Sequence, residues 1–285
     1  MKVGIQGFKA SFHDIVARNF FKSSEVLEIA ECATFLQLAS DLHNKKLDYA
    51  VMAIENTIAG SILPNYTLLE QHQIKIIGEY YLRISMNLMA LPGEKIEDLK
   101  VVQSHPMALH QCTEFLAQYP FIRIQESIDT AESAKQIALQ NLKGQSAIAS
   151  SLAAEEYKLN ILAAGIETNK QNYTRFLILA PKDNTEYTKQ LGATQLNKAT
   201  LRFEVTDRPG CLVEVLQIFG EFSLNMTKIQ SVPLLGRPYE YSFHVDVEWD
   251  HADDTSFNQA LESLQKRVRN VVNFGCYQKG QKPVL

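Results

Sequence analysis

The stretch Tyr49-Ala50-Val51-Met52-Ala53-Ile54-Glu55-Asn56-Thr57 passes from a near-continuous apolar run to three polar residues. A strand without polar alternation is one buried on both faces, the usual state in a parallel sheet covered by helices. Its polar end then falls at the carboxyl edge, where open α/β sheets collect ligands. Residues 49–57 therefore set the class as α/β and mark a candidate site together.

Working outward, the same alternation continues. Lys2–Gln6 reads as a first strand, and Ser11-Phe12-His13-Asp14 matches a capping box with Ser11 as N-cap. Ile15, Val16, Phe20 and Phe21 follow at helical spacing, and Thr34 caps a second helix through Leu42. Strands are predicted at 75–81, 84–91, 101–103, 122–125, 146–149 and 176–179, and helices at 106–119, 130–139 and 152–157. Alternating βα units imply mainly parallel sheets layered with helices. The long extended stretch near 75–91 lets the chain cross between two lobes and leaves a cleft between them, a common place for small ligands. Residues 181–198 are polar and read as a linker between a first region, 1–180, and a second, 199–285. That second region reads strand 200–206, turn Asp207-Arg208-Pro209-Gly210, helix 211–222, strands 225–232 and 239–248, helix 253–267 and strand 271–277. The order βαββαβ is the ferredoxin-like plan.

Composition excludes several classes. At 285 residues with 46% apolar content, the chain can bury a core without disulfide staples. A net charge of −4 gives no basic footprint for nucleic acid. Cys32, Cys112, Cys211 and Cys276 form no C-x-x-C pair and match no zinc spacing. The start, Met1-Lys2-Val3-Gly4-Ile5-Gln6-Gly7, is too short and polar for a signal-peptide core. No apolar run approaches the roughly 20 residues a membrane helix needs. The expectation is a cytoplasmic protein with no membrane partner. His105 and His110 lie five apart, off one helix face, and no metal or cofactor is expected.

No P-loop, G-x-G-x-x-G, H-E-x-x-H or G-x-S-x-G is present. What remains is a set of neutral polar groups beside predicted strand ends: Ser11, Asn56 and Thr57, Ser104, Gln111, Thr130, and Thr174-Arg175. Helix N-termini in such places offer free N–H groups to anions. Each residue has a plainer reading. Ser11 and Thr130 fit caps, Gln111 a solvated helix position, and Arg175 a surface position at a strand entry.

Taken together, these segments resemble the prephenate dehydratase family over nearly the whole chain. Asn172-Tyr173-Thr174-Arg175-Phe176 is similar to the family's N-x-T-R-F signature. Ala53-Ile54-Glu55-Asn56-Thr57, Ser104-His105-Pro106 with Gln111-Cys112, and Asp129-Thr130-Ala131 match three further motifs in the family's order. Gly7-Phe8-Lys9-Ala10-Ser11-Phe12 resembles G-P-x-G-S/T-Y/F, with Phe8 and Ala10 in place of the usual Pro and Gly, and His13 where Ser is usual. The resemblance implies a two-lobed, periplasmic-binding-protein-like catalytic region that converts prephenate to phenylpyruvate, water and carbon dioxide. It implies Thr174 as donor to the departing hydroxide. Glu55 is either a second proton-handling group or a structural acceptor. Asn56, Thr57, Ser104, Gln111, Thr130, Ser11 and Phe176 would hold substrate. Arg175 pairs either a substrate carboxylate or Glu55.

The second region resembles an ACT domain, a module that binds amino acids between paired copies. Asp207-Arg208-Pro209-Gly210-Cys211-Leu212-Val213 is similar to D-x-P-G-A-L-V. Residues 224–233 are similar to I-N-L-T-K-I-E-S-R-P, with Gln230 for Glu and Val232 for Arg. This implies L-phenylalanine as effector, held by Asp207, Pro209, Gly210, Cys211, Leu212, Val213, Asn225, Gln230 and Ser231, in a homodimer or homotetramer. The plainer reading is a dimerisation module. Two other functions stay open: arogenate as the substrate, and a non-catalytic amino-acid sensor.

Overall fold

The computed structural model describes residues 1–24, 26–184, 196–206, 208–234, 236–250 and 255–282. Asp207, most of the expected linker and the expected start of the last helix lie outside them.

The first lobe opens with β1 (Lys2–Gln6), α1 (Phe12–Phe20), β2 (Glu28–Cys32), α2 (Phe35–His43), β3 (Tyr49–Asn56), the short β4 (Gly60–Ser61), α3 (Leu63–Gln71) and β5 (Ile74–Arg83). The chain then crosses to a second lobe. This contains β6 (Asn87–Ala90), β7 (Val101–Ser104), α4 (Pro106–Gln111), α5 (Thr113–Leu116), β8 (Arg123–Glu126), α6 (Thr130–Gln140), β9 (Gln145–Ala149), α7 (Ser151–Glu156) and β10 (Asn160–Ala163). It returns through β11 (Tyr173–Pro181). The first sheet has the order β2-β1-β3-β11-β5, with β4 beside β3, and the second β10-β6-β9-β7-β8. β1 runs parallel to β2 and β3, and β11 enters antiparallel between β3 and β5. The central strands carry the long apolar runs because both their faces are covered: Ala50, Val51, Met52 and Ile54 on β3 are fully buried, as are Ile178 and Leu179 on β11.

The third unit is β12 (Lys198–Glu204), α8 (Cys211–Glu221), β13 (Asn225–Pro233), β14 (Tyr241–Glu248), α9 (Thr255–Arg267) and β15 (Arg269–Tyr277). Its antiparallel sheet has the order β13-β14-β12-β15, the ferredoxin-like arrangement. Phe203, Val215, Phe219, Val245, Trp249, Phe257 and Leu264 fill its core. The unit is welded to the first lobe: Phe274 and Tyr277 of β15 share a buried cluster with Leu69, Ile74 and Ile76. Gly275 makes this approach possible. A methyl group there would stand 2.1 Å from the Ile76 carbonyl oxygen, and its φ of +152° suits glycine.

Several local expectations change. Ser11 occupies the N-cap position of α1 but makes no capping bond. Asp14 instead accepts from Ala10 N and pairs with Arg18, so the capping box is not formed. Ala10 itself has φ +66°, a left-handed backbone in which the resembled motif's glycine is at ease. The expected helix 106–119 is two short helices, broken at Cys112, which is buried. β2, α3 and β10 are additions. α3 hid because polar Asn65 is buried on it, donating to Ala53 O at 2.7 Å, so its faces do not segregate. Among the described residues no helix is long and apolar enough to cross a membrane.

Two outcomes follow for stability. Replacing Gly275 with Ala is expected to cost about 2–4 kcal/mol, read by urea denaturation, because backbone must move on both sides of the contact. His244 is buried against the rings of Tyr66 and Phe274, and burial, with Arg202 nearby, lowers its pKa from 6.5 to about 4. The unfolded chain therefore binds this proton more tightly, so stability is complete above about pH 6.5 and falls as pH drops toward 4. Thermal melting across that window should lose about 1–3 kcal/mol, and His244→Phe should flatten the slope.

Candidate active site

Residue alternation on two neighbouring strands decides what faces the cleft. In the register of β11 with β3, Thr174 pairs with Asn56 and Arg175 with Glu55. Successive side chains on a strand point to opposite faces. Thr174, Phe176 and Asn56 accordingly line a cavity of about 260 Å³ between the lobes, together with Ser11, Gln111 and Thr130. Arg175 and Glu55 point the other way, into a separate cavity of about 210 Å³ against the third unit.

A polar chain runs across the cleft wall. Gln111 Oε1 accepts from Asn172 Nδ2 at 2.8 Å, and Asn172 Oδ1 accepts from Asn56 Nδ2 at 2.8 Å. Asn56 Nδ2 also donates to Thr174 Oγ1 at 2.9 Å, while Asn56 Oδ1 accepts from Ile58 N and Ala59 N at 2.9 Å each. Both ends of the Asn56 amide are thus engaged, which fixes its orientation. Thr174 Oγ1 accepts from Asn56, and its own hydrogen has no acceptor among the described residues. Ser11 Oγ is likewise buried with no partner among the described residues.

Four expected positions do other work. Ser104 is fully buried and donates to Ile148 O at 2.6 Å, which fixes β7 against β9. Thr57 Oγ1 donates to Gln171 O and accepts from Tyr173 N, and so pins the loop before β11. Arg175 pairs neither with the cleft nor with Glu55. It donates to Glu79 Oε2 at 2.7 Å, to Asp246 and to the Tyr277 hydroxyl. Glu55 is bonded to Lys228 Nζ at 2.8 Å and faces away from Thr174's side of the sheet. A guanidinium or carboxylate one residue off along a strand is on the wrong face, and that is the physical reason for both corrections.

The cleft also holds groups that sequence reasoning passed over: Asn172, His13, His105 and Asp129. Asn172 stood inside the quoted N-x-T-R-F stretch without a role, yet it is completely buried and central to the chain. His13 packs against the rings of Phe35 and Phe176, and its Nε2 accepts from Ala53 N at 3.3 Å. Burial brings its pKa down to about 4, so the imidazole is neutral at pH 7. Asp129 caps α6 through Ala131 N and Glu132 N, and burial pushes its carboxyl up against the pull of those two bonds. Among the described residues no lysine or arginine lines the cavity. Charge on a ligand must be met there by neutral donors and by the first turns of α1, α4 and α6, which contribute Ser11, Phe12, His13, Met107, Ala108 and Thr130. Among the described residues no three His, Cys, Asp or Glu side chains are grouped to hold a metal ion.

Of the expected effector residues, Pro209 and Gly210 precede α8, and Cys211, Leu212 and Val213 form its first turn. Asn225, Gln230 and Ser231 lie on β13, the sheet edge on which α8 packs. Gly210 has φ +82°, which a turn into the helix requires of it.

Comparison with known proteins gives a consistent result. Residues 3–184 match the family model for prephenate dehydratase. Arogenate dehydratase/prephenate dehydratase 2, chloroplastic, from Arabidopsis thaliana is 36% identical over 287 residues, spanning 97% of this chain and 72% of that protein. The bifunctional chorismate mutase/prephenate dehydratase of Aquifex aeolicus strain VF5 is 34% identical over 282 residues, spanning 98% of this chain and 74% of its own length. Among solved structures, one described as GqqA, a novel type of quorum quenching acylase, aligns with a TM-score of 0.85 at 27% identity, covering 98% of both chains.

Truncating Asn172 leaves the Asn56 amide and the Gln111 carbonyl each short of a buried partner. Asn172→Ala is expected to cost about 1–3 kcal/mol in urea unfolding.

Proposed function

The chain belongs to the prephenate dehydratase family, and from that premise we propose that it converts prephenate to phenylpyruvate, water and carbon dioxide in the cleft between its lobes. The ring carboxylate leaves as carbon dioxide, its bonding pair moves into the ring, and the C–O bond to the ring hydroxyl breaks. The departing hydroxide takes one proton, supplied by solvent, and becomes water. The ring becomes aromatic, which supplies the driving force.

The observation that carries this reading is the Thr174 hydroxyl, which lines the cleft, accepts from Asn56 and donates to no group among the described residues. A threonine is a weak acid, so its part is a hydrogen bond that strengthens as charge grows on the leaving oxygen. Ser11, Gln111 and Thr130 hold the substrate, and Asn56 orients Thr174. Phe176 and His13 offer it an apolar wall, the latter neutral. A cavity with no lysine or arginine among its described lining residues suits a reaction in which negative charge moves through the ring and must not be trapped on one carboxylate. Glu55 and Arg175 take no part in proton transfer or substrate contact in this scheme.

A second substrate is favoured by one residue. Asp129 is the single acidic side chain on the cavity wall among the described residues, and the ammonium group of arogenate would find an acceptor there. The acylase description of the similar solved structure belongs to that protein. Acyl hydrolysis calls for a nucleophile set beside a base. Among the described residues neither Ser11, Thr130 nor Thr174 makes a hydrogen bond to an imidazole or carboxylate.

The reading divides the chain into a catalytic region over 1–180, a connecting segment over 181–198 and an ACT unit from 199 onward. L-phenylalanine is its effector, bound where the first turn of α8 meets β13, between two copies of the chain. The free edge of β13 and the exposure of Val213 and Ile229 support pairing there. Gln230 and Val232 remove two charges from the resembled motif, so the effector's affinity is set by this chain's own residues.

The test is turnover of prephenate and, in parallel, of arogenate. Thr174→Ala should lower kcat by about 10²–10³ with the fold intact, the range for loss of one aimed donor, and Thr174→Ser should recover most of it. Turnover of arogenate alone would keep the mechanism and change the substrate. Turnover of neither by folded protein would overturn the enzyme reading in favour of a sensor.

A further inference from the structure

The third unit reaches the cleft from behind. Glu55 and Ser61 face one another across the β3–β4 hairpin, and Asn56 faces Gly60 one step nearer the turn. Lys228 of β13 grips this hairpin on its reverse side. Its Nζ donates to Glu55 Oε2 at 2.8 Å and to Ser61 Oγ at 3.1 Å, one bond to each strand. The ammonium also stands 5.0 Å from the centre of the Tyr66 ring, with its side chain 9% exposed. Inside the clamped hairpin, Asn56 Oδ1 takes both turn amides and Asn56 Nδ2 aims at Thr174 Oγ1.

We propose that Lys228 is a positioning residue for the cleft: by holding both strands of the β3–β4 hairpin from the third unit, it sets the aim of Asn56 at Thr174. The inference rests on the reading of Thr174 as donor to the leaving hydroxide. Two observations single out Lys228 from the other contacts between the units. Arg175, Glu79, Asp246 and Lys198 form a buried network whose loss would endanger folding. Lys228, by contrast, bonds to Glu55, whose side chain is 42% exposed, so this contact is less buried than the network and holds the hairpin by charge and hydrogen bonds. Lys228 also shares β13 with Asn225, Gln230 and Ser231, and the pairing of β13 with β14 is irregular between Met226 and Lys228. A ligand that shifts β13 therefore has a direct lever on the hairpin, two bonds from the reacting hydroxyl.

The experiment compares Lys228→Met, Lys228→Arg, Glu55→Met and the double variant Lys228→Met/Glu55→Met in the full chain. Lys228→Met should lower kcat about 10-fold with KM little changed, since small misplacement of an aimed group acts on the reaction step. Lys228→Arg should restore most of the rate. Glu55→Met should match Lys228→Met, and the double variant should be no slower than either, the mark of two residues acting as one. A role confined to gluing the units would instead lower the melting temperature and leave kcat unchanged, which overturns the proposal, as would additive losses. A second readout is independent of turnover. The side-chain amide resonance of Asn56 in a ¹⁵N NMR spectrum should shift in Lys228→Met, and an unmoved resonance refutes the clamp even if the rate falls. Should the unmodified chain turn over neither prephenate nor arogenate, the catalytic reading fails, and the Asn56 resonance still decides whether Lys228 sets its aim.

Discussion

A guanidinium taken out of water must be matched on every side, and Arg175 is the place where this chain meets that demand. It is 5% exposed, sits next to Thr174 on the central antiparallel strand, and is answered by Glu79 from the first lobe and by Asp246 and Tyr277 from the third unit. Lys198 completes the pattern on Glu79 and Glu248. Burial pushes the Asp246 carboxyl up, but Arg175 and Lys198 beside it, with hydrogen bonds from Arg175 and Thr200, more than offset this and hold it below the ordinary carboxylate range. The network can be satisfied only when three segments far apart in sequence are docked together. The strand carrying Thr174 is therefore fixed by charges on its back.

That division of labour explains the chemistry of the front. Cationic side chains cluster behind the sheet, and the described lining of the cleft offers hydroxyls, amides, the neutral His13, His105, the Asp129 carboxyl and helix ends. The Asn56 amide and the Thr174 hydroxyl are oriented by hydrogen bonds within the protein itself. The chain Gln111–Asn172–Asn56–Thr174 links the second lobe's α4 to the first lobe's β3 and β11, so the two walls of the cleft share one hydrogen-bonded seam.

Much of this was legible in the residues. The apolar run of β3, the βα alternation and the βαββαβ order follow from patterning, and the ordered short motifs pointed to Thr174, Asn56, Gln111, Thr130 and Ser11, which the fold gathers on one cavity. What patterning could not tell is which side of a strand a polar residue takes when both sides are buried. Glu55 and Arg175 sit one step from Asn56 and Thr174, and in a strand without alternation no hydropathy signal separates them. Asn172 was missed for a related reason: a buried amide and a surface amide read alike until their partners are known. Lys228 lies 173 residues from Glu55 in sequence. Nothing local to either residue announces the pair.

The path of the chain has a consequence for how the protein comes to be made. The second lobe is one unbroken insertion. The chain leaves the first sheet at the end of β5 and rejoins it at the start of β11, where Arg83 and Tyr173 are paired neighbours. Every strand of the second sheet lies between those two points. During synthesis the first sheet must wait, with the slot between β3 and β5 unfilled, until the whole inserted lobe has been made. The strand that fills the slot is the one that bears Thr174. The nascent chain thus has an open, apolar sheet interior for the time it takes to add about ninety residues, and it acquires the Thr174 hydroxyl in the same step that closes it.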